Sequence, residues 1–351
     1  MDIFRCNDCP RKCNALRTPE GGRGFCMSGS SMRIARAAPH FGEEPCISGL
    51  RGSGTIFFTG CNLRCIFCQN YEISRPAAAE QDSFGTESEQ SGCGKSTARN
   101  NRGKERDDCV TAVGAAVKKY GRDISVQELR DIMLRLEDTG VHNINLVTPT
   151  HFTRQIAEAL SGVSLSIPVA WNSSGYESVE SLKLLDGLVQ IYMPDYKYAS
   201  RTAAKKYSAA EDYPEIAAAA LKEMFRQRGA YTVDRVGMLT SGLLIRHLIL
   251  PDGNVQGSRP DGQDGGLGLN TSNSMDVIDF LADTFPENSI LFSLMSQYTP
   301  MPAAERFEEL RCRVTEEQYD LLRHYMKMRR LENGYYQDIC SATGEMIPVW
   351  E

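Results

Sequence analysis

The segment GTIFFTGCNLRCIFCQN, residues 54–70, joins a β-branched and aromatic run to three cysteines. Thr55-Ile56-Phe57-Phe58-Thr59 reads as a short buried strand that Gly60 stops. Cys61, Cys65 and Cys68 follow as C-x3-C-x2-C, so the strand delivers a thiol loop at its C-terminal end. With twelve cysteines in 351 residues, chance alone gives such a triplet about 0.014 times per chain, which argues for a ligand set. Structural zinc takes four ligands, commonly from two C-x2-C knuckles. Here one loop offers three thiolates and no nearby histidine. Three thiolates on a cubane leave one iron open to another ligand. The spacing reads as an iron–sulfur site, with zinc or buried free thiols as the alternatives.

Outward from this loop, strand and helix patterns alternate. Ser125 and Glu128 form a capping box, Leu129, Ile132, Met133 and Leu136 give one apolar helix face, and Gly140 ends it. Further strands are expected at 143–147, 167–171, 188–193, 243–250 and 290–295. Helices are expected at 153–161, 177–186, 214–229 and 274–285, and Thr315 caps a last one reaching about Leu331. Six strands alternating with helices imply βα units, a parallel sheet and right-handed crossovers. Eight units would close a barrel. Six suggest an open or partial one, and alternation alone does not separate it from a doubly wound sheet.

The chain divides into a cysteine-rich lead-in at 1–54, a core at 55–331 and a tail at 332–351. The lead-in shows little periodicity and reads as irregular. Residues 76–108 carry one aromatic and almost no aliphatics larger than alanine, so they read as a disordered insertion. Their GCGKST is not a phosphate loop, because Glu89 stands where the pattern needs glycine and no strand precedes it. The Gly-rich stretch 253–274 reads as a second insertion. In the lead-in, Cys6, Cys9, Cys13 and Cys26 offer the four thiolates of a closed metal site, and zinc or a second iron–sulfur cluster would suit them equally.

A net charge of -6 argues against a chain built to grip nucleic acid, and no run of 18 uncharged apolar residues is present to span a membrane. The first residues lack the apolar core of a secretory signal. Twelve cysteines without an export signal point to the cytoplasm and to metal or redox chemistry rather than disulfides.

The thiol triplet, with Phe67 before its last cysteine, resembles the signature of the radical S-adenosylmethionine (SAM) superfamily. NINLVTPTHF, WNSSGYES, IYMPDYKY, IRHLILP and LMSQYTP, with the N-terminal cysteines and EEPCISG, extend the resemblance over most of 5–330 outside the two insertions. Together they are similar to an uncharacterised branch related to the pyruvate formate-lyase activating enzyme.

That resemblance implies a partial (β/α)6 barrel with a cysteine-rich extension. Cys61, Cys65 and Cys68 would hold a [4Fe–4S] cluster at its mouth, and SAM would bind the open iron. Reductive cleavage of SAM would yield a 5′-deoxyadenosyl radical that takes hydrogen from a substrate. An electron donor such as flavodoxin or ferredoxin is implied, and a protein substrate would follow if the chain is a glycyl-radical activase. The alternatives are modification of a small molecule or another macromolecule, or a non-catalytic iron–sulfur protein. The family's Gly-Gly-Glu motif is absent; Val147-Thr148-Pro149-Thr150-His151 stands there, so Thr148, Thr150 or His151 would contact SAM. His151 reads equally well as a core or capping residue. Asn172 and Ser173 match positions that bind ribose or carboxylate, though a plain turn accounts for them nearly as well. Asp195 and Lys197 match an Asp-x-Lys pair whose other reading is a surface ion pair. Arg246 lies in the apolar run LLIRHLIL and requires an anionic partner, either SAM or Asp195. Gln297 and Tyr298 would line the substrate side, or simply end a strand.

Overall fold

The computed structural model describes residues 3–75, 120–253, 267–336 and 350. The expected insertion at 76–108 and most of that at 253–274 lie outside the described residues. Three short strands, β1 (Phe4–Cys6), β2 (Ala15–Thr18) and β3 (Gly21–Gly22), form a small antiparallel sheet in the lead-in. The main sheet contains β4 (Met32–His40), β5 (Ser53–Phe58), β6 (Arg122–Ile124), β7 (Ile144–Val147), β8 (Val169–Ser173) and β9 (Ile191–Pro194). It continues through β11 (Leu239–Leu248), β12 (Leu291–Met295) and β13 (Gly334–Tyr336), while β10 (Thr232–Val233) is a hairpin partner of β11.

From β5 the order runs β7, β8, β9, β11, β12, β13, and every one of these pairings is parallel. The chain is therefore mixed α/β with a mostly parallel sheet. Strand order follows chain order without the reversal that a doubly wound sheet contains. On the other flank β4 runs antiparallel to β5, and β6 pairs antiparallel with β4.

Alternation along the strands decides what each face meets. Ile56, Phe58, Leu146, Trp171, Tyr192, Ile245 and Phe292 pack with Leu129, Ile156, Leu182, Leu221, Ile278 and Leu322 from the helices in one large core. Phe57 and Val147 join a small cluster with Trp350, and Ala170, Ile191, Met193 and Leu244 one with Cys46 and Ile47. The long helices thus share one face of the sheet, and the other face carries the polar residues of the candidate site.

Three expectations need correction. The lead-in is not irregular, because MRIARAAPH forms the nine-residue β4. Its alanines, arginines and proline give weak β-propensity, and pairing with β5 overrides it. The helix expected at 274–285 spans Leu269–Thr284, so residues read as insertion are helical. Asp252, across the gap in sequence, accepts from Asn270 N at 2.7 Å and Thr271 N at 2.9 Å, capping that helix from outside it. Finally, part of the expected tail forms β13 beside β12.

Candidate metal and cofactor site

A parallel sheet brings its C-terminal strand ends to one edge, where loops can converge. The loop after β5 places Cys61, Cys65 and Cys68 on the wall of a cavity of about 390 Å³. Thr148 after β7, Asn172 and Ser173 at the end of β8, Asp195 and Lys197 after β9, and Arg246 on β11 line the same cavity. Phe57 and Trp350 supply an apolar side, with ring centroids 5.1 Å apart edge to face.

Remote backbone contacts hold the cysteine loop. Ile66 N donates to Tyr207 O at 2.9 Å, Arg64 N to Ser208 O at 3.2 Å, and the buried Asn62 side chain to Tyr176 O at 2.7 Å. The lead-in grips it from the other side. Arg11 donates to Asn62 O at 2.8 Å and stacks 3.9 Å from the Phe25 ring, while Arg64 stacks on the same ring at 4.1 Å. Gly60 makes this approach possible, since a Cβ there would lie 2.6 Å from Ser28 Oγ and 2.7 Å from Cys26 O.

Each loop sulfur has a polar neighbour. Leu63 N donates to Cys61 Sγ at 3.4 Å, Ser208 Oγ donates to Cys65 Sγ at 3.0 Å, and Cys68 Sγ lies 3.3 Å from Ser74 Oγ. Burial, then the neighbouring Cys65 and Cys68, push the Cys61 thiol up to about 12, and burial with Cys65 raises Cys68. A cationic metal centre bound to these sulfurs would hold them as thiolates against that burial.

Arg246 anchors the polar network beside them. It donates to Glu43 Oε2 at 3.0 Å, to Asp195 Oδ1 at 3.2 Å and to Asn172 Oδ1. Lys197 Nζ meets Asp195 Oδ2 at 2.6 Å. Burial would raise Asp195, but Lys197 and Arg246 outweigh it and hold the carboxyl low. Burial likewise works against the Lys197 charge, and Asp195 with Cys65 keeps its pKa raised.

Asp195, Lys197, Arg246 and Asn172 are therefore one network, and Asp195, one of the two anionic partners expected for Arg246, is in contact with it. Glu43, absent from the expected site residues, is its second carboxylate. The signal was the pair of acids in GEEP together with an arginine that required a counter-charge. The adjacent Glu44 is buried, and burial raises its pKa.

Thr150, His151 and Tyr298 do not line the cavity. Thr150 begins the turn into the helix Thr153–Ser161, and its hydroxyl donates to Glu177 Oε1 at 2.7 Å. His151 Nε2 lies 2.8 Å from the Thr59 carbonyl and so carries the proton. Burial and Arg17 lower its pKa to about 3, making it a neutral core histidine. Tyr298 is buried and donates to Leu310 O at 2.7 Å. Thr148 does face the cavity, in a left-handed conformation with φ 58°. Gln297 does as well.

In the lead-in Cys6, Cys9 and Cys26 are buried and Cys13 is exposed. Burial, then Cys26, Cys6 and Cys13, raise Cys9 to about 12. The buried Arg17 guanidinium donates to Cys26 Sγ at 3.4 Å and to His151 O at 2.7 Å. Among the described residues, no three His, Cys, Asp or Glu side chains are gathered to hold a single metal ion. A cubane, with its irons at separate corners, needs no such shared point, whereas zinc at the quartet would draw the four sulfurs inward. Among the described residues, no helix is long and apolar enough to cross a membrane.

No protein-family model matches the sequence. The chain is 26% identical over 324 residues to the uncharacterized protein MJ0674 of Methanocaldococcus jannaschii, a match covering 91% of this chain and 73% of that protein. It is also similar to the crystal structure of Streptococcus suis SuiB bound to precursor peptide SuiA, with a TM-score of 0.39 and 10% identity. That match covers 82% of this chain and 49% of the SuiB chain, so this chain spans about half the length of that structure. A likeness this loose assigns neither fold nor activity.

Proposed function

We propose that this chain is a radical SAM enzyme of the pyruvate formate-lyase activating type, built on a partial (β/α)6 barrel. The observation that carries the reading is the convergence of three thiols from one loop and a balanced ionic network on one cavity at the C-terminal strand ends. Cys61, Cys65 and Cys68 would hold a [4Fe–4S] cluster, leaving a corner for SAM. When bound, cluster and SAM supply one-electron cleavage of the sulfonium and a carbon radical that takes hydrogen from substrate.

The chain's own residues do the rest. Thr148 presents a hydroxyl to a polar ligand, whereas the Asn172 amide is held by Arg246 and Glu43 and the Ser173 hydroxyl is engaged with Gly175 N and Glu177. Ser174 and Asn70 also line the cavity, with Ser174 Oγ and Asn70 Oδ1 themselves buried. Asp195 and Lys197 set the charge beside the thiols. Phe57 and Trp350 exclude water from one side, which protects a reactive intermediate. Arg246 is already answered by Glu43 and Asp195, so its part is to fix those carboxylates rather than to seek a ligand anion. The cysteine quartet, with Arg17 as a buried counter-charge, would be a second soft-metal centre in the lead-in.

Anaerobic reconstitution tests the reading. Iron, sulfide, zinc and released 5′-deoxyadenosine are measured for the wild type and for a Cys61/Cys65/Cys68→Ala variant. Loss of SAM cleavage in the variant alone is expected. Equal turnover in both would eliminate these ligands.

A further inference from the structure

The three sulfur contacts of the cysteine loop differ in where their protons can go. Ser208 closes the helix Arg201–Ser208, and its hydroxyl donates to Cys65 Sγ at 3.0 Å. Tyr198 OH lies 2.8 Å from Ser208 Oγ. A serine hydroxyl has one proton, and that proton is committed to sulfur, so the tyrosine must be the donor in the second bond. The result is a directed chain, Tyr198 to Ser208 to Cys65, whose two hydroxyl-bearing residues are 0% exposed.

Ser74 contrasts with this. Its hydroxyl donates to Asn70 O at 2.8 Å and so has no second proton for Cys68 Sγ at 3.3 Å. A Cys68 thiolate at that position would find no proton from Ser74 unless the bond to Asn70 were broken.

Resting on the iron–sulfur reading above, we infer that Ser208, reinforced by Tyr198, is the positioning residue that sets the reduction potential at Cys65. One added electron increases the negative charge on the ligand sulfurs. A donor aimed at a sulfur therefore stabilises the reduced state more than the oxidised one and raises the potential. Tyr198 polarises the Ser208 hydroxyl and strengthens the effect.

The test is an EPR-monitored titration of reconstituted protein with dithionite and low-potential mediators, reading the signal that the Cys61/Cys65/Cys68→Ala variant lacks. Ser208→Ala should move the midpoint to more negative values, by up to about tenfold in the reduction equilibrium, or about 59 mV for one electron. Ser208→Thr should restore it, Tyr198→Phe should shift it less in the same direction, and Ser74→Ala should leave it nearly in place. A fully loaded Ser208→Ala protein with an unmoved midpoint overturns the inference while leaving the cluster intact. Should Ser208→Ala fail to load iron, Tyr198→Phe decides, and an unchanged midpoint there overturns the inference. Wild-type protein that takes up no iron at these cysteines overturns both this inference and the functional reading beneath it.

Discussion

Arg246 donates to Glu43 at 3.0 Å, although the two lie 203 positions apart in the chain. The bond joins the loop after β4 to the strand β11, and through Asp195 and Asn172 it reaches β9 and β8. Removing one partner leaves the others desolvated and unpaired. Arg246→Met should therefore cost about 3–5 kcal/mol in denaturant unfolding. Adding Glu43→Gln to it should cost less than the sum of the single changes. Strict additivity in the double-mutant cycle would show that the charges act independently.

Glu177 makes stability pH-dependent. Burial raises its carboxyl from 4.5 to about 7, despite hydrogen bonds from Thr150 and Trp171. The folded state then holds the proton more tightly than the unfolded one. Its stabilising contribution is complete below about 4.5 and disappears as pH rises through about 7, amounting to roughly 3 kcal/mol. Glu177→Gln should flatten the stability profile across that window, as thermal unfolding at several pH values would show. A profile as steep as wild type would place the titration elsewhere.

Thr148 is a β-branched residue at φ 58°, a conformation glycine adopts without penalty. Thr148→Gly should stabilise the fold by about 1 kcal/mol, because relief of strain exceeds the added chain entropy. It should also weaken binding of any ligand that uses the hydroxyl. Calorimetric unfolding together with ligand titration separates the two effects.

Asp252 caps a helix that begins 17 positions after it. Asp252→Ala should lower stability by about 1–2 kcal/mol, while Asp252→Asn, which keeps an acceptor, should recover most of it. Urea midpoints of the two variants check this directly.

The quartet and the loop triplet should load metal independently. Cys6/Cys9→Ser is expected to lose metal from the lead-in while retaining SAM cleavage at the loop. Metal analysis per chain alongside 5′-deoxyadenosine release reads both quantities. Unchanged total metal would show that the quartet binds none.

What sequence could and could not disclose follows from range. The thiol triplet is local, and the six expected strands announce themselves by β-branched runs, so both were legible. Arg246 was legible too, since a cation in an apolar run must be answered. Glu43 and Ser208 were not, because each acquires its role from a partner more than a hundred positions away. The same holds for β4, which only β5 makes a strand, and for the helix start at Leu269, which Asp252 determines. Thr150 and His151 looked like ligands because they follow a strand, yet the chain turns them inward toward Glu177 and Thr59.

The stacking of both Arg11 and Arg64 on Phe25 ties the lead-in to the cysteine loop. A truncated protein beginning near residue 50 would therefore lose more than its five thiols. It would release the Arg64 side chain and strip the loop of its brace, so shortened versions made to simplify metal analysis should report on a slackened loop rather than on the native one.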